Sequence, residues 1–168
     1  MAFTIYDASI PPMIRSLQSL SKILDKAVAQ AKQKDLNLQT LLDARLAPDM
    51  HPFTRQIQMA SDSAKGAAAR LAGVEPPSFP DTETTFPELQ TRIAKTIDFL
   101  KSIAPEKLSG AEDRAIELKT PSRTLNFTGK DYLTGFVLPN FLFHVTTAYA
   151  LLRHKGIEIG KMDFLGGV

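Results

Sequence analysis

Residues Tyr132–Leu152 read YLTGFVLPNFLFHVTTAYALL, a long run without a fixed charge. His144 is the one side chain in this run whose ordinary pKa lies near neutral pH. Side chains within the run and just after it recur at intervals of three and four residues, which predicts that they share one face of a helix. They are Phe136, Asn140, Phe143, His144, Thr147, Leu151 and His154. Because polar side chains interrupt the run, we expect a helix buried by neighbouring helices, not a membrane span.

Both ends of this helix carry recognisable signals. Thr128 stands three residues before Asp131, which predicts a capping box in which the Thr128 hydroxyl accepts from the Asp131 amide. Gly156 follows the run and suits the left-handed conformation after a helix end. Inside the run, Pro139 has no amide proton to donate, so we expect a kink or local unwinding near residues 135–139.

Two further helices are predicted in the first half of the chain. The first has an apolar stripe and should begin near Ser9, with Pro11 and Pro12 in its first turn, and run to about residue 34. The second should follow Pro48-Asp49, with Asp49 or His51 as its cap and Pro52 in its first turn. Gly73 should end it.

A third helix should begin at the capping box of Thr85 and Glu88 and end near Ile103. The connections are less regular. We expect a short helix at Leu38–Asp43 capped by Asn37, an extended loop over 74–84, one turn over 105–110 and an irregular tail over 157–168. Residues 115–119 and 123–127 alternate apolar and polar side chains around Pro121-Ser122, which predicts a β-hairpin packed on the helices. The sequence therefore predicts one all-α domain over residues 1–168, a four-helix bundle with a short β-hairpin before the last helix.

Composition narrows the classes of function. The 20 Lys and Arg residues nearly balance the 18 Asp and Glu residues, so no basic surface favours nucleic acid. The absence of cysteine excludes disulfides, thiolate catalysis and zinc-thiolate sites. The N-terminal sequence MAFTIYDASIPP lacks a basic segment and a long apolar run. We therefore expect no signal peptide and a cytoplasmic protein.

Several segments carry a resemblance to a known family. They read ARLAPDM at Ala44–Met50, AKGAAARLAG at Ala64–Gly73, NFLFHVTTAYALLRHKGI at Asn140–Ile157 and GKMDFLG at Gly160–Gly166. With these segments, nearly the whole chain resembles the DinB/YfiT-like superfamily of four-helix bundles, which are described as metalloenzymes. More specifically, it is similar to a branch known only as a domain of unknown function.

The resemblance implies a place for a metal site. In the wider superfamily three histidines typically hold a divalent metal, one on the second helix and two spaced four apart on the last helix, ahead of a Leu-Arg pair. Leu152-Arg153 matches that pair, which aligns His144 with the second of the two histidines and Asn140 with the first. The ligand of the second helix falls near Gln56, with Gln58 as the alternative. The resemblance thus implies that amides replace two of the three ligands.

Neutral amide oxygens are weak ligands for zinc, nickel or iron, so we expect no metal cofactor. Gln56, Asn140 and His144 are instead predicted to form a hydrogen-bonded, ligand-binding set, because each amide and a neutral imidazole both donate and accept. His144 has a plainer interpretation as a buried histidine paired with Asn140, Thr147 or water. A zinc or nickel ligand is the third possibility.

Three functional hypotheses follow. The first is a bundle that binds a small molecule near His144, and the alternative is a metal-dependent transferase or hydrolase of the superfamily. A purely structural or interaction protein is the third, and it predicts that His144→Ala changes stability but no binding. We interpret His51 and His154 as surface residues and Asp62 as a solvated charge. We also expect a homodimer, because several apolar residues lie outside the helical stripes or at their edges. These are Phe79, Phe86, Met162, Phe164 and Leu165.

Overall fold

The structure is a computed structural model that describes residues 3–120 and 122–167. Four long helices make the bundle: α1 (Ile5–Gln33), α3 (Phe53–Ala72), α4 (Phe86–Ser102) and α5 (Gly129–His154). A short helix, α2 (Leu38–Leu42), connects α1 to α3 and is capped by Asn37 as expected. Helix α3 packs on both α4 and α5, and α1 packs on α4. The predicted four-helix bundle is confirmed.

Helix α1 begins earlier than the sequence suggested. Thr4 and Asp7 form a capping box at its start, and the Ser9 hydroxyl donates to the Ile5 carbonyl over 2.6 Å inside the helix. The expected start at Ser9 was therefore wrong. Pro11 and Pro12 lie inside α1, where the cap at Thr4 and the packing of the apolar stripe hold the helix together despite two missing amide donors.

The caps predicted for α3 and α4 have different outcomes. Pro52 occupies the N-cap of α3 without a side-chain hydrogen bond, so capping by Asp49 or His51 was wrong. Gly73 ends α3 with φ 69°, in the left-handed conformation expected. Thr85 and the Glu88 carboxylate form the predicted capping box of α4. The box at Thr85 and the glycine at position 73 were thus predicted correctly, whereas the start of α3 was not.

A two-stranded antiparallel sheet precedes α5, with β1 at Ala115–Lys119 and β2 at Thr124–Thr128. Ile116 pairs with Phe127, and Leu118 with Leu125, so the predicted apolar side is confirmed. The Phe127 ring lies 5.7 Å from that of Tyr132, which covers the start of α5. The expected turn at Pro121-Ser122 includes Pro121, which lies outside the described residues. Two short 3₁₀ turns lead into the hairpin, at Pro105–Leu108 and at Ala111–Asp113. The first of them confirms the turn expected over 105–110.

The expected unwinding in α5 is confirmed as a π-helical segment at Tyr132–Val137, followed by regular α-helix at Leu138–His154. The tail is more ordered than predicted, because α6 (Lys161–Leu165) forms and packs on α1. The Asp163 carboxylate binds the backbone amide of Gly160 at 2.8 Å and Lys26 Nζ at 2.5 Å. This local cap and ion pair explain why the tail is helical.

Helix α5 alone, among the described residues, is long and apolar enough to cross a membrane, with a mean hydropathy of 1.3 in its most apolar window. Of that window, 44% is buried within the bundle, mainly against α3. Core helices of this kind are apolar because protein surrounds them. The composition of α5 therefore does not indicate a membrane protein.

Gly129, the first residue of α5, lies against the 3₁₀ turn before the hairpin. A Cβ atom at this position would lie 1.8 Å from the Ala111 carbonyl oxygen. Gly129→Ala should lower the free energy of unfolding by about 1–3 kcal/mol, because backbone on one side or the other must move. The matched control is Gly135→Ala in the same helix, where nothing lies within 4 Å of the added atom. Urea denaturation of both variants is the test, and equal stabilities would contradict the close contact.

Candidate functional site

Two of the three predicted site residues meet in the core. Gln56 on α3 and His144 on α5 are 2% and 4% exposed, and His144 Nδ1 lies 2.8 Å from Gln56 Oε1. Small residues on α3, such as Ala60 and Ala64, let the two helices approach closely and bring these side chains together. The hydrogen bond pairs the Gln56 side-chain oxygen with Nδ1, one of the two ring nitrogens of His144, as buried polar groups normally require.

The hydrogen bonds of Gln56 fix the proton on His144. Gln56 Nε2 donates to the His51 carbonyl oxygen over 3.1 Å, so the opposite end of the amide, Oε1, faces His144. An amide oxygen only accepts, and His144 Nδ1 must therefore carry the proton. Burial lowers the pKa of His144, and the charges of His51 and Arg55 lower it further. The imidazole is neutral near pH 7, with its lone pair on Nε2.

An open cleft of about 320 Å³ runs between α3 and α5 and reaches His144. From α5 it is lined by Tyr132, Phe136, Asn140 and His144, which follow one another at every fourth residue. The remaining lining comes from α3 and the hairpin: Arg55, Met59, Asp62, Ser63, Arg70, Leu118 and Thr120. Polar and charged groups thus lie at both ends of the cleft, and its middle combines the apolar Met59 and Phe136 with the polar Asp62 and Ser63.

Asn140, Gln58 and Thr147 lie in different places relative to the Gln56–His144 pair. Asn140 lines the cleft beside His144, but within residues 3–120 and 122–167 its side chain has no hydrogen bond to His144 or Gln56. The Gln58 amide donates to Glu83 over 2.9 Å, away from the pair, so Gln56 and not Gln58 is the partner of His144. The Thr147 hydroxyl donates to the Phe143 carbonyl, so of the alternative partners named for a buried His144, Thr147 is not used.

Some residues assigned to one face of α5 do not share it. Phe143 is next to His144 in regular α-helix, about 100° away around the helix axis, and is exposed. His154 is exposed in the last turn of α5. Asp62, which was interpreted as a solvated charge, is partly exposed and lines the cleft with His144. Its carboxylate is held by Arg92 at 2.7 Å and by Lys65 at 3.0 Å. The expected positions of His51 and His154 at the surface are confirmed.

A buried arginine organises the loop between α3 and α4. Arg92 on α4 has a side chain that is 1% exposed, and it contacts Asp62 at 2.7 Å, Asp81 at 3.0 Å and Glu83 at 3.0 Å. We call Arg92 with these three carboxylates the arginine network. Its contacts to residues 81 and 83 fasten the extended crossing loop predicted over 74–84 to the bundle. No sequence pattern singled out Arg92, because its partners come from three separate segments.

A larger cleft, of about 540 Å³, lies at the start of α1 near the 3₁₀ turns. Its buried lining side chains are Leu108 and Leu133, and the described polar residues around it, such as Glu112 and Lys130, are exposed. Orientation of a ligand needs fixed polar groups in a shielded place. The smaller cleft at His144 provides them, and we therefore take it as the candidate site.

A divalent metal such as zinc requires several imidazole, thiolate or carboxylate ligands around one point. Within the described residues no three His, Cys, Asp or Glu side chains lie close enough together to hold a metal ion. At the position implied by the resemblance, both ends of the Gln56 amide are already hydrogen-bonded, and only His144 offers an imidazole. Gln56, Asn140 and His144 as they stand do not fit a zinc, nickel or iron centre.

Arg70 and Tyr132 are cleft residues that sequence reasoning missed. Arg70 Nη1 donates to the Tyr132 hydroxyl oxygen over 3.2 Å, at the end of the cleft away from His144. The spacing of four from Tyr132 through Phe136 and Asn140 to His144 is the signal that would have placed Tyr132 in the cleft. Arg70 carried no such signal, because a long side chain in the last turn of a helix is usually solvated.

The fold is that of a DinB-like four-helix bundle. A crystal structure of a DinB family member protein from Shewanella denitrificans superposes with a TM-score of 0.90 and 37% sequence identity, over 98% of this chain and 93% of that one. A family model, the domain of unknown function DUF1993, matches residues 5–165. The chain belongs to the DUF1993 family. Comparison with curated proteins gave no significant match.

The neutral state of His144 predicts a pH dependence of stability. The pKa of His144 is lowered in the fold, so the unfolded chain binds this proton more readily. The contribution of neutral His144 to the free energy of unfolding is complete above the ordinary histidine pKa of about 6.5. It is lost as the pH falls through the pKa that His144 has in the folded protein. For one proton the slope cannot exceed about 1.4 kcal/mol per pH unit.

His144→Gln should remove this part of the dependence, since glutamine does not titrate. Urea denaturation between about pH 8 and pH 5, a window around the ordinary histidine value, measures it. The matched control is His154→Gln, which changes an exposed histidine near the end of the same helix. An acid slope that survives in His144→Gln would show that other groups cause it.

Proposed function

We propose that this protein binds a small organic molecule in the cleft between α3 and α5, at His144. The observation that carries the proposal is a buried, neutral imidazole whose Nδ1 is fixed by Gln56, while the same side chain lines an open cleft. Ligand sites typically combine an apolar lining with a few fixed polar groups. The cleft has both, with Met59, Leu118 and Phe136 as its apolar part.

Chemistry at His144 follows from its tautomer. Nε2 accepts a hydrogen bond from a ligand hydroxyl or amine, and a fixed acceptor in a shielded place orients a ligand. Asn140, half-buried beside it, offers both an amide oxygen and an amide nitrogen. This pair suits a ligand group that donates to His144 and is held from the side by Asn140. The same geometry supports binding without requiring a reaction.

The experiment is a thermal-shift screen of small polar aromatic compounds and organic acids, followed by ¹⁵N NMR of the histidine side chains. In the free protein we expect a protonated Nδ1 and an unprotonated Nε2 for His144. A bound compound should raise the melting temperature and move the Nε2 resonance of His144, with the exposed His154 unchanged as an internal control. If no compound does so, or if binders leave His144 unaffected, the site does not bind as proposed.

The variant His144→Ala separates the remaining classes of function. A purely structural role predicts that His144→Ala changes the melting temperature but alters no binding. The metal-dependent transferase or hydrolase stays an alternative from the resemblance, and it requires zinc, nickel or iron that is retained by the native protein and lost in His144→Ala. Elemental analysis after growth in each metal distinguishes it from the binding proposal.

The homodimer also stays a prediction. Met162 and Leu165 of the tail are 53% and 46% exposed, as the argument for pairing requires, whereas Phe86 is buried in the core and does not contribute. We expect sedimentation at tens of micromolar, about the scale of ordinary association strengths, to give a species of twice the 18.5 kDa chain mass. A single species at the chain mass would contradict the dimer.

A further inference from the structure

The end of the cleft away from His144 holds a cation without a carboxylate partner. Arg70 is half-buried, and within the described residues none of its nitrogens lies within 4.0 Å of a carboxylate oxygen. The other charged groups of the cleft are already engaged: Arg55 pairs with Asp81, and Asp62 is held by Arg92 and Lys65. Arg70 is therefore the positive charge that the cleft leaves available to a ligand.

The Tyr132 hydroxyl adds a second hydrogen-bond donor beside the Arg70 guanidinium. Its hydroxyl oxygen accepts from Arg70 Nη1 at 3.2 Å, which leaves the phenolic proton free to donate to another group. Burial raises the pKa of Tyr132, so the hydroxyl keeps that proton at neutral pH. A guanidinium beside a protonated phenol favours an anionic oxygen, because hydrogen bonds with an ionised partner are about twice as strong as neutral ones.

Gly66 explains how Arg70 comes to lie against its own helix. A Cβ atom at Gly66, one turn before Arg70 on α3, would lie 2.6 Å from Arg70 Nη1. The missing side chain gives the guanidinium the room to fold back along α3, where it reaches Tyr132. An alanine at position 66 would displace the guanidinium while leaving the helix intact.

The length of the cleft limits the ligand. Tyr132 and His144 are twelve positions apart on α5, which corresponds to about 18 Å along a helix. Phe136 lies between them and stacks on Tyr132 with ring centroids 6.0 Å apart. A molecule that reaches both ends must be elongated, with an apolar body that lies beside Phe136 and Met59 and passes Asp62, whose carboxylate is already held by Arg92 and Lys65.

We propose that the ligand is an elongated organic carboxylate, whose carboxylate binds Arg70 and Tyr132 and whose far end donates a hydrogen bond to His144. This rests on the proposed function and adds the chemical class of the ligand. One uncompensated arginine matches the single charge of a carboxylate, whereas a phosphate dianion would meet only one free cation. The single acceptor at His144 selects a hydroxyl or amine at the opposite end.

The test uses ω-hydroxyalkanoates of about six to twelve carbons, chosen to bracket the distance between the two ends. Isothermal titration should show affinity rising to a maximum within the series. The methyl ester of the best acid, which lacks the charge, should bind about ten- to a hundredfold more weakly. The unhydroxylated fatty acid of equal length should also bind more weakly, and the corresponding alkyl phosphate should bind no better than the acid.

Two variants test the site itself. Arg70→Met and Gly66→Ala should each weaken binding of the acid by about tenfold or more but leave binding of the ester unchanged. Gly66→Ala should fold at least as stably as the native protein, because alanine is the better helix former. Gly135→Ala, in the same bundle but in open space, is the control and should bind normally.

Each outcome decides the proposal. Equal binding of acid and ester, tighter binding of the phosphate, or normal binding of the acid by both variants would overturn the carboxylate class while leaving a ligand site at His144 in place. If no acid of the series binds but another compound moves the Nε2 resonance of His144, the carboxylate class again fails and the proposed function stands. If nothing binds in either experiment, both fail.

Discussion

Arg92→Met should destabilise the protein by about 3 kcal/mol, the largest loss of stability that we expect from a single side chain. The guanidinium is 1% exposed and contacts three carboxylates, so its removal leaves Asp62, Asp81 and Glu83 facing one another across an apolar methionine. Loss of one member of a buried charge network typically costs 3–5 kcal/mol, because the remaining charges are uncompensated. We place the effect at the low end because Asp62 keeps Lys65 and Asp81 keeps Arg55.

Urea denaturation at neutral pH measures this loss, and hydrogen exchange in the 74–84 loop should show where the structure opens. The matched control is Arg15→Met on the exposed side of α1, which should change stability by no more than about 0.5 kcal/mol. Arg92→Lys should fall between the two, since lysine keeps the charge but cannot contact several carboxylates with a planar fork. A loss of less than about 1 kcal/mol in Arg92→Met would mean that the network contributes no more than surface ion pairs do.

The helices were predictable because their signals are local. The apolar stripe, the capping box at Thr85, the Thr128 side-chain cap and the left-handed glycines all act within one or two turns, so neighbouring residues determine them. The start of α1 was misplaced because Pro11 and Pro12 were assigned to a first turn, although an equally local box at Thr4 was available. The tail was misjudged because the ion pair from Asp163 to Lys26 joins residues far apart in the chain.

The site was predictable only where one helix or the family resemblance supplied the alignment. Positions 140 and 144 follow from helical spacing, and position 56 follows from the resemblance, so the Gln56–His144 contact was within reach. Arg70 and Arg92 were not, because the course of a long flexible side chain depends on what faces it from another helix. Gly66 was not predictable either. It matters because it leaves space for the Arg70 guanidinium, and no sequence pattern shows that space.

The amides at positions 56 and 140 also explain how a bundle of this fold can lack a fitting metal site while keeping a polar core. Gln56 uses its oxygen to hold His144 and its nitrogen to bond the His51 carbonyl, a role that a metal-ligating histidine could not fill in the same way. An amide at position 56 thus removes a metal ligand, and it fixes the tautomer of the His144 imidazole. In this family member we infer that His144 is oriented by protein hydrogen bonds, which suits an acceptor for a bound molecule.

The double variant Gln56→His with Asn140→His should bind zinc or nickel at least about a hundredfold more tightly than the native protein. Even the outer hydrogen-bond partners of metal ligands are worth 10- to 100-fold in affinity, and here two direct ligands are introduced. Position 56 is in contact with His144 at 2.8 Å, and position 140 is one turn from it on the same helix and lines the same cleft. Three imidazoles would then replace one imidazole and two amides, which is the donor set that zinc prefers.

Isothermal titration with zinc and with nickel compares the native protein, each single variant and the double variant. Asn140→His alone should gain little, because Gln56 still occupies Nδ1 of His144 and supplies no third ligand. Adding His144→Ala to the double variant should abolish the gain, which separates a designed site from metal held by surface histidines. If the double variant binds no more metal than the native protein, then Gln56, Asn140 and His144 do not converge on one point, and the candidate site is misplaced.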